Sequence, residues 1–418
     1  MSSSNQPLMV IGAGIAGITT SLEAAEAGRE VILVEREPSV GGRVLRNHNY
    51  FPKMCPPSCG MEINTRRMEK NPRLRVLVNA TVAKAESVGS GWKVTVKKAP
   101  EYVKASCTAC GECSKVCPAK VKDSFNMDLA EVPAVRMPHA DAWPRLYTLD
   151  RKACPSGCKK CVEACAFKAI DLDAKETEET FQVGSMVVAT GWKPYPKKNL
   201  VELGGDVLED VVSNVELERM AASAGPTAGK ILRPSNKEAP KKVAFVQCAG
   251  SRDHNHLPYC SAVCCLASLK QAIYVREQIP ESEVTIYYID RRTPGRNEDM
   301  LTRVAGMDGV KLVKGKVGKI EKVGGALKLR VEDVENNKLL EEDADLVVLA
   351  TGMQPNVTDG IGFDLSVDGD GFVVDDVQKG LFAAGVARRP EDVAASVRDA
   401  TGAAAKAIIA SAAVGRSA

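Results

Sequence analysis

The segment at residues 12–17, which reads Gly-Ala-Gly-Ile-Ala-Gly, constrains the fold of this chain more than any other feature. The apolar run Leu8 to Ile11 precedes it as a buried strand, a helix to about Ala27 follows, and a second strand, Val31 to Val34, ends at Glu35. Such a unit binds a dinucleotide, because glycines let the backbone approach the pyrophosphate and the acidic residue accepts hydrogen bonds from the ribose. The predicted contacts are Gly12, Gly14, Gly17 and Glu35.

Eight cysteines between Cys107 and Cys165 fall into two runs with the spacing of iron–sulfur ligands. The first run has gaps of two, two and three residues before Pro118, the pattern in which the fourth cysteine ligates the neighbouring cluster. The second run has one extra residue in its first gap, and Ala166 replaces the proline. The two runs predict two [4Fe–4S] clusters with the ligands Cys107, Cys110, Cys113, Cys117, Cys154, Cys158, Cys161 and Cys165.

A third group of cysteines follows the apolar strand at residues 243–247, which begins a second α/β unit. One glycine, Gly250, stands where a nucleotide site needs three, so nicotinamide binding is not expected here. Spacing alone leaves two interpretations, a third [4Fe–4S] cluster or buried cysteines that act as small hydrophobic side chains. The four residues are Cys248, Cys260, Cys264 and Cys265.

Composition restricts the class of protein further. The 418 residues exceed the usual size of one hydrophobic core, which predicts two or three domains. A net charge of +3 is too small to indicate a nucleic-acid partner. Because 14 cysteines occur without a recognisable export signal or a membrane-spanning apolar run, we expect metal ligation in a reducing compartment.

Further motifs resemble a known fold. Gly41-Gly42-Arg43, the two Ala-Thr-Gly turns ending at Gly191 and Gly352, and the segment 380–385 resemble the flavoproteins with two dinucleotide-binding domains, such as thioredoxin reductase. The resemblance implies an α/β fold that binds FAD in its first domain, here with an inserted ferredoxin-like 2[4Fe–4S] domain. The additional FAD contacts that it implies are Gly42, Arg43, Gly191 and Gly385.

The predicted domains are interleaved along the chain. Residues 1–104 form the first part of the FAD-binding domain, and residues 105–175 form the ferredoxin-like insert. Residues 176–240 continue the FAD-binding domain and contain a linker. Residues 241–356 form the second α/β domain, with the degenerate nucleotide site and the third cysteine group. Residues 357–418 return to the FAD-binding domain and end in a helix.

The region around the third cysteine group resembles the A subunit of heterodisulfide reductase. The matching segments are residues 247–253, Gln-Cys-Ala-Gly-Ser-Arg-Asp, and residues 259–265, Tyr-Cys-Ser-Ala-Val-Cys-Cys. In that family these cysteines hold a [4Fe–4S] cluster, so the resemblance implies a third cluster here. It also implies that Lys270 lies near the flavin N5, where a cation favours the anionic reduced flavin, whereas the alternative is a surface helix lysine.

Residues 51–64 and 248–274 are similar to the A subunit of the quinone-interacting membrane-bound oxidoreductase complex, and the likeness extends over nearly the whole chain. The N-terminal cluster domain and C-terminal ferredoxin extension of the larger heterodisulfide reductase protein are not recognised, which favours this shorter relative. The resemblance implies an electron-transfer subunit on the cytoplasmic face of the membrane, held there by partner subunits. It would connect a quinone-linked partner with adenylylsulfate reductase in dissimilatory sulfur metabolism.

Cys55 and Cys59 have three interpretations: inert packing, contact with a cluster or partner, and a redox-active dithiol. The dithiol would make the chain a self-sufficient NAD(P)H-dependent disulfide reductase, which the missing glycines disfavour. Pro56 and Pro57 also argue against a helical arrangement of the pair. A bifurcating complex of the heterodisulfide reductase type and a scaffold with vestigial cluster sites are further alternatives.

Overall fold

The computed structural model describes residues 6–89, 91–357 and 361–414. The start of the N-terminal segment, in which no export signal is recognised, lies outside these ranges. The chain divides into two compact units. Unit 1 comprises the described residues of Met1–Leu45, Ser58–Trp192 and Pro355–Ala418, and unit 2 comprises Arg46–Pro57 and Lys193–Gln354. Within the described ranges, the structure contains no helix with the length and apolar character needed to cross a membrane.

Strands and helices alternate along much of the chain. In chain order the strands are β1 Leu8–Ile11, β2 Val31–Val34, β3 Leu74–Leu77, β4 Ala80–Val88, β5 Gly91–Lys98, β6 Lys120–Lys122, β7 Glu131–Pro133, β8 Val135–Arg136, β9 Thr148–Leu149, β10 Thr177–Val183, β11 Ser185–Val188, β12 Trp192–Pro194, β13 Val211–Ser213, β14 Lys242–Ala249, β15 Glu283–Tyr288, β16 Val310–Val323, β17 Ala326–Asp333, β18 Lys338–Ala344, β19 Leu346–Thr351, β20 Met353–Pro355 and β21 Leu381–Ala383. The helices are α1 Ile15–Glu26, α2 Pro57–Lys70, α3 Glu112–Lys115, α4 Lys160–Glu163, α5 Asn214–Ala221, α6 Cys264–Gln278, α7 Glu298–Ala305 and α8 Val393–Val414.

The described part of unit 1 is built on a parallel sheet with the strand order β21-β11-β1-β2-β3. Strands β1 and β2 are short continuous apolar runs because both faces of the sheet are covered. Helices α1 and α8 pack on one face, where Ile18 and Phe382 belong to the same core. The antiparallel sheet β10-β5-β4 covers the other face, where Met9 packs with Val94. This arrangement places the loop after β1 at the carboxyl edge of the parallel sheet.

The cysteine-rich insert lies between β5 and β10 in the sequence and contains short elements. Two small hairpins, β6-β7 and β8-β9, and the single-turn helices α3 and α4 form it. An antiparallel bridge between Val103 and Ile170 joins its two ends. Its apolar core includes Cys113 and Cys161 beside Val135 and Leu149, so cysteines occupy positions that aliphatic side chains fill elsewhere.

Unit 2 is built on a mixed sheet with the strand order β13-β19-β14-β15-β16-β17-β18 in its described part. The first five strands in that order run parallel, and β16, β17 and β18 form an antiparallel meander. Helix α6 follows β14 and is buried continuously from Cys264 to Val275. Its first turn therefore lies near the end of β14, where the third cysteine group begins.

The structure differs from the sequence-based domain division in two segments. That division places residues 176–240 in the FAD-binding domain and a linker, but β13 pairs with β19 in the sheet of unit 2. Residues from Lys193 onwards and the short segment Arg46–Pro57 accordingly group with unit 2. The reason is physical: β13 is a fully buried three-residue strand, too short to show a period in the sequence.

Candidate cofactor sites

The glycine loop after β1 has the backbone geometry that a dinucleotide requires. Gly12 has φ of +101°, and a Cβ there would lie 2.5 Å from the Ala189 carbonyl oxygen. A Cβ on Gly17 would overlap the Gly12 carbonyl, so this glycine permits helix α1 to pack against the loop. A Cβ on Gly14 would meet nothing within 4 Å. The loop is thus closed on its protein side and open at the N-terminus of α1, where a pyrophosphate would bind.

Glu35 lies at the end of β2 with 8% of its surface exposed. One carboxylate oxygen accepts a hydrogen bond of 2.6 Å from the Ala13 N–H, and the other accepts one of 2.9 Å from the Glu37 N–H. Burial raises the pKa of this carboxyl, although both backbone donors oppose the shift. The side chain therefore fixes the glycine loop at the position where a ribose hydroxyl is expected.

Other predicted flavin contacts lie beside the same loop. Gly42 has φ of +59°, and a Cβ there would lie 2.8 Å from the Gly14 Cα. Gly385 has φ of +63°, and its Cβ would lie 2.8 Å from the Ala16 side chain. The Gly385 N–H donates to the Asp399 carboxylate at 2.9 Å. The loop after β1, the segment at Gly42 and the segment at Gly385 thus meet at the start of α1. A side chain at Gly42 or Gly385 would clash with the residues around Gly14 and Ala16.

The turn at Gly191 provides a further test of whether FAD fits. Gly191 has φ of +66° and open space where a Cβ would point. Thr190 Oγ1 and Asn356 Oδ1 are buried without a hydrogen-bond partner, which is unusual for polar atoms unless a ligand completes them. Arg43 stacks its guanidinium over the Trp192 ring at 4.5 Å. These residues fit a bound dinucleotide, whose flavin would supply two-electron and one-electron chemistry.

The insert brings the cysteines of its two runs into two mixed groups. One cavity is lined by Cys107, Cys110 and Cys113 of the first run together with Cys165 of the second. Burial, and next the neighbouring thiol of Cys107, raise the pKa of Cys113 to about 11. The first run therefore meets the last cysteine of the second, which is the exchange expected of paired cluster sites.

The second group surrounds Cys161. Burial raises the pKa of this thiol first, and the nearby thiols of Cys154, Cys117 and Cys158 raise it further. Here the last cysteine of the first run lies with three cysteines of the second. Two backbone N–H groups also point at sulfur, from Ala109 to Cys107 at 3.4 Å and from Ala169 to Cys165 at 3.3 Å. Such hydrogen bonds favour thiolates and the clusters that they hold.

The third cysteine group is assembled in unit 2 from separate segments. Cys248 lies near the end of β14 with φ of +53°, where the register with β19 shifts. Cys264 and Cys265 begin α6, and Cys260 lies in the loop before it. Burial raises the pKa of Cys264 well above its ordinary value, and the thiols of Cys248, Cys265 and Cys260 raise it further. All four thiols are therefore mutual neighbours.

Contacts from two loops hold the third group. The Arg292 N–H donates to Cys265 Sγ at 3.4 Å, and the Arg252 guanidinium hydrogen-bonds the Cys248 side chain. Arg252 also forms an ion pair of 2.8 Å with Asp290. The Arg252–Asp290 pair thus ties the loop after β14 to the loop after β15. Four close thiols with these donors fit a [4Fe–4S] cluster better than they fit isolated hydrophobic cysteines.

The loop after β14 packs against protein at its one glycine. A Cβ on Gly250, which has φ of +73°, would lie 2.8 Å from the Tyr195 ring and 3.1 Å from Leu200. The loop therefore packs against side chains at Gly250, as the loop after β1 packs against the Ala189 backbone at Gly12. That nicotinamide does not bind here stays a prediction from the single glycine of this loop.

The geometry that binds a single metal ion differs from the geometry that binds an iron–sulfur cluster. Among the residues that the structure describes, no three His, Cys, Asp or Glu side chains converge as ligands of one metal ion. The cysteines of a [4Fe–4S] cluster each bind a different iron, so their sulfurs lie further apart than the ligands of one ion.

Lys270 is not a surface lysine, because 3% of its surface is exposed. Its ammonium pairs with Glu218 at 2.8 Å and donates to the Asn49 carbonyl at 2.8 Å. Glu218 also accepts hydrogen bonds from Gln271 and from the His48 backbone N–H. Sequence reasoning does not find this network, since Glu218 is 52 residues before Lys270 and follows no recognised motif.

The cysteines Cys55 and Cys59 are both exposed, whereas each of the other three groups contains at least one buried cysteine. Cys55 lies before α2, and its thiol donates to the Lys53 carbonyl at 3.8 Å. Cys59 lies in the first turn of α2, which begins at Pro57. Exposure of both thiols disfavours inert packing, the first interpretation offered for this pair.

Comparisons with known proteins agree with these observations. An NAD(P)-binding Rossmann-like domain family matches residues 10–81. The chain resembles two crystal structures of thioredoxin reductase, from Lactococcus lactis with a TM-score of 0.51 and 13% identity, and from T. acidophilum with a TM-score of 0.52 and 12% identity. The first match covers 97% of this chain and 99% of that structure, and the second covers 98% of each. These likenesses confirm the predicted fold class.

Sequence relatives carry names consistent with this fold. The chain is 35% identical to the A subunit of the H2:CoB-CoM heterodisulfide,ferredoxin reductase of Methanothermobacter thermautotrophicus, over 96% of this chain and 63% of that protein. It is 36% identical to the iron-sulfur A subunit of the CoB–CoM heterodisulfide reductase of Methanocaldococcus jannaschii, over 95% of this chain and 63% of that protein. The chain thus spans less than two thirds of these relatives. Along nearly all of its own length, this chain is similar to the heterodisulfide reductase A subunit.

Proposed function

We propose that this chain is an FAD/iron–sulfur subunit that transfers electrons within a larger oxidoreductase. The observation that carries the proposal is the mixed grouping of the insert cysteines, in which Cys165 joins Cys107, Cys110 and Cys113. Two such groups beside each other are the arrangement of a two-cluster electron relay. The flavin would exchange electrons with clusters that carry one electron each.

Residues of the chain have three tasks in this proposal. Twelve cysteines hold three clusters as thiolates, with Cys248, Cys260, Cys264 and Cys265 as the ligands of the third. Backbone donors at Ala109, Ala169 and Arg292 stabilise charge on the sulfurs they contact. The glycine loop and Glu35 position the dinucleotide. Lys270 beside the flavin N5 stays a prediction from the resemblance.

Anaerobic purification with flavin and iron analysis tests this role. We expect FAD and about 12 iron atoms per chain, as three [4Fe–4S] clusters require. Redox-titrated EPR should resolve more than one cluster signal. Flavin with about four iron atoms or fewer per chain would refute the proposal that the insert holds two clusters.

We also propose that the electrons pass between a quinone-linked membrane partner and adenylylsulfate reductase, with the chain on the cytoplasmic side. The likeness of residues 51–64 and 248–274 to the quinone-interacting complex supports this assignment. Co-purification from solubilised membranes is the test. We expect menaquinol to reduce adenylylsulfate reductase only when the chain and its membrane partners are present, and an undiminished rate without the chain would refute the proposal.

A heterodisulfide reductase-type complex, which bifurcates electron pairs, is the second candidate. The names of the relatives favour it. Co-purification with a soluble heterodisulfide-reducing protein in place of a membrane partner would select it. The third candidate, an NAD(P)H-dependent disulfide reductase that uses Cys55 and Cys59, is disfavoured because Gly250 is the one glycine where a nucleotide site needs three. It predicts rapid bleaching of the flavin when NADH or NADPH is added to the isolated chain.

A further inference from the structure

Three of the four thiols in the third cysteine group receive a hydrogen bond from another residue. Cys265 Sγ accepts one of 3.4 Å from the Arg292 backbone N–H, and Cys260 Sγ accepts one of 3.5 Å from the backbone N–H two residues later. The Arg252 guanidinium hydrogen-bonds the Cys248 side chain. Donors of this kind stabilise a sulfur that carries negative charge, as the sulfur of a cluster ligand does.

Cys264 is the fourth thiol, and its hydrogen bond runs in the opposite direction. The side chain is buried, and its thiol donates to the Thr351 carbonyl at 3.9 Å. A cysteine that binds iron is a thiolate, so it has no proton to donate. The bond to Thr351 would therefore be lost when Cys264 binds iron. The sulfur would keep the backbone N–H of its own residue as a donor, and a side-chain donor would stabilise its charge further.

Ser268 lies one helical turn after Cys264. Both residues are on α6, and side chains four residues apart share one face of a helix. Because the Cα–Cβ bond of a helical residue tilts toward the N-terminus, the Ser268 side chain leans toward the turn that contains Cys264. Ser268 has no exposed surface. The fold thus places a buried hydroxyl next to the turn of α6 that supplies two of the four thiols.

The Ser268 hydroxyl has no hydrogen-bond partner among the residues that the structure describes. A serine inside a helix often bonds the carbonyl four residues before it, and Ser268 does not. Other buried serines of unit 2 are paired: Ser251 and Ser261 bond each other at 2.9 Å, and Ser282 donates to the Ile279 carbonyl at 2.7 Å. A buried hydroxyl without a partner is destabilising and uncommon unless a bound group completes it.

We propose that Ser268 is a positioning residue whose hydroxyl donates a hydrogen bond to the Cys264 sulfur when that sulfur binds the third cluster. The proposal rests on the proposed function, because it requires a cluster in unit 2. A hydrogen bond to a ligand sulfur favours the reduced cluster, which carries more negative charge. Ser268 therefore raises the reduction potential of this cluster.

Redox-titrated EPR of the anaerobically purified chain tests the proposal, and the signals that Cys264→Ser lacks belong to the third cluster. Ser268→Ala should lower the equilibrium constant for one-electron reduction of this cluster by about ten-fold, which corresponds to about 59 mV. The matched control is Ser282→Ala, which removes a buried hydroxyl of unit 2 beyond the other end of α6. We expect it to change the same constant by less than about two-fold. The insert clusters should keep their potentials in both variants.

An unchanged potential in Ser268→Ala, or an equal shift in Ser282→Ala, would refute the role of Ser268. If Ser268→Ala does not retain the cluster, Ser268→Thr and Ser268→Val replace it, because their side chains have nearly the same shape and only threonine has a hydroxyl. A more negative potential in the valine variant than in the threonine variant is then expected, and equal potentials would refute the proposal.

Iron analysis of the native chain separates this proposal from the proposed function. Absence of the third cluster would refute the proposed function in unit 2. A native chain with all three clusters, combined with an unchanged potential in Ser268→Ala, would refute only the hydrogen bond from Ser268.

Discussion

The insert and unit 2 each gather cysteines, but they do so in different ways. In the insert, two short runs with nearly the same spacing cross over, so that each group takes one cysteine from the other run. In unit 2, the end of β14, a loop and the first turn of α6 each contribute to one group. The insert sites are thus encoded by local spacing, and the unit 2 site depends on a folded sheet and helix.

This difference decides how each site responds to its surroundings. The insert is small and its core is partly made of cysteines, so ligand binding and folding are coupled there. In unit 2 the sheet has a separate core around Leu329 and Val347, which contains no cysteine. We therefore expect loss of a cluster to unfold part of the insert and to leave the sheet of unit 2 intact.

Removal of one ligand from each site should give the largest effects. Cys113→Ser and Cys264→Ser should each lose about four of about 12 iron atoms, because a cluster needs its full set of thiolates. Only Cys113→Ser should also make the insert sensitive to proteolysis. Iron analysis and limited proteolysis measure the two effects. Equal protease resistance in both variants would contradict the coupling that distinguishes the insert.

The fold was largely predictable from the sequence, because its signals are local. The run from Leu8 to Glu35 contains a complete strand–helix–strand unit, and the Ala-Thr-Gly turns mark the ends of two further parallel strands. The strand β13 is not predictable in this way, because three buried residues carry no period. Its partner β19 is more than 130 residues away, so the pairing depends on tertiary structure.

The candidate sites were predictable to different degrees. Spacing predicts the eight insert cysteines as cluster ligands. The ferredoxin pattern also predicts that the fourth cysteine of each run joins the group formed by the other run. In unit 2, the adjacent pair Cys264-Cys265 has no standard spacing, and only the resemblance favoured a cluster. The partners of Lys270 could not be found at all, because Glu218 and Asn49 lie in distant segments that only the fold brings together.

Helix α6 carries two cysteines of the unit 2 site and the buried Lys270. The ion pair of Lys270 with Glu218 holds this helix, so its removal tests whether the cysteine site depends on the surrounding fold. Glu218→Gln should reduce the free energy of unfolding by about 3 kcal/mol, because it leaves the Lys270 charge buried without its partner. The matched control is Glu277→Gln, which removes the exposed ion pair with Arg303 and should cost less than about 1 kcal/mol. Denaturant unfolding followed by circular dichroism measures both. A similar small cost for the two variants would show that Lys270 does not depend on Glu218.

Arg252 offers a finer test of the same site, because it contacts Cys248 and pairs with Asp290. Arg252→Gln should weaken iron binding in unit 2 by about 10- to 100-fold, as for other residues that support metal ligands. It should also make the EPR midpoint potential of that cluster more negative, since a positive charge is lost. Arg292→Gln removes an equal charge for comparison, because Arg292 bonds Cys265 through its backbone N–H while its side chain acts on that thiol through charge. Equal changes in both variants would contradict a specific role for the Arg252 side chain.

The smallest expected effect concerns the cysteines that belong to neither kind of site. Cys55 and Cys59 are exposed, whereas Cys264 and Cys113 are buried. Iodoacetamide should therefore label Cys55 and Cys59 in the anaerobic chain, with no change in visible absorption. It should leave the other twelve cysteines unlabelled, because we propose that they are cluster ligands. Peptide mass spectrometry counts the labels. Protection of Cys55 and Cys59 in the isolated chain would instead indicate that they bind iron, and protection that appears only in the assembled complex would indicate that a partner covers them. Labelling in both states would leave the dithiol as the interpretation that agrees with their exposure.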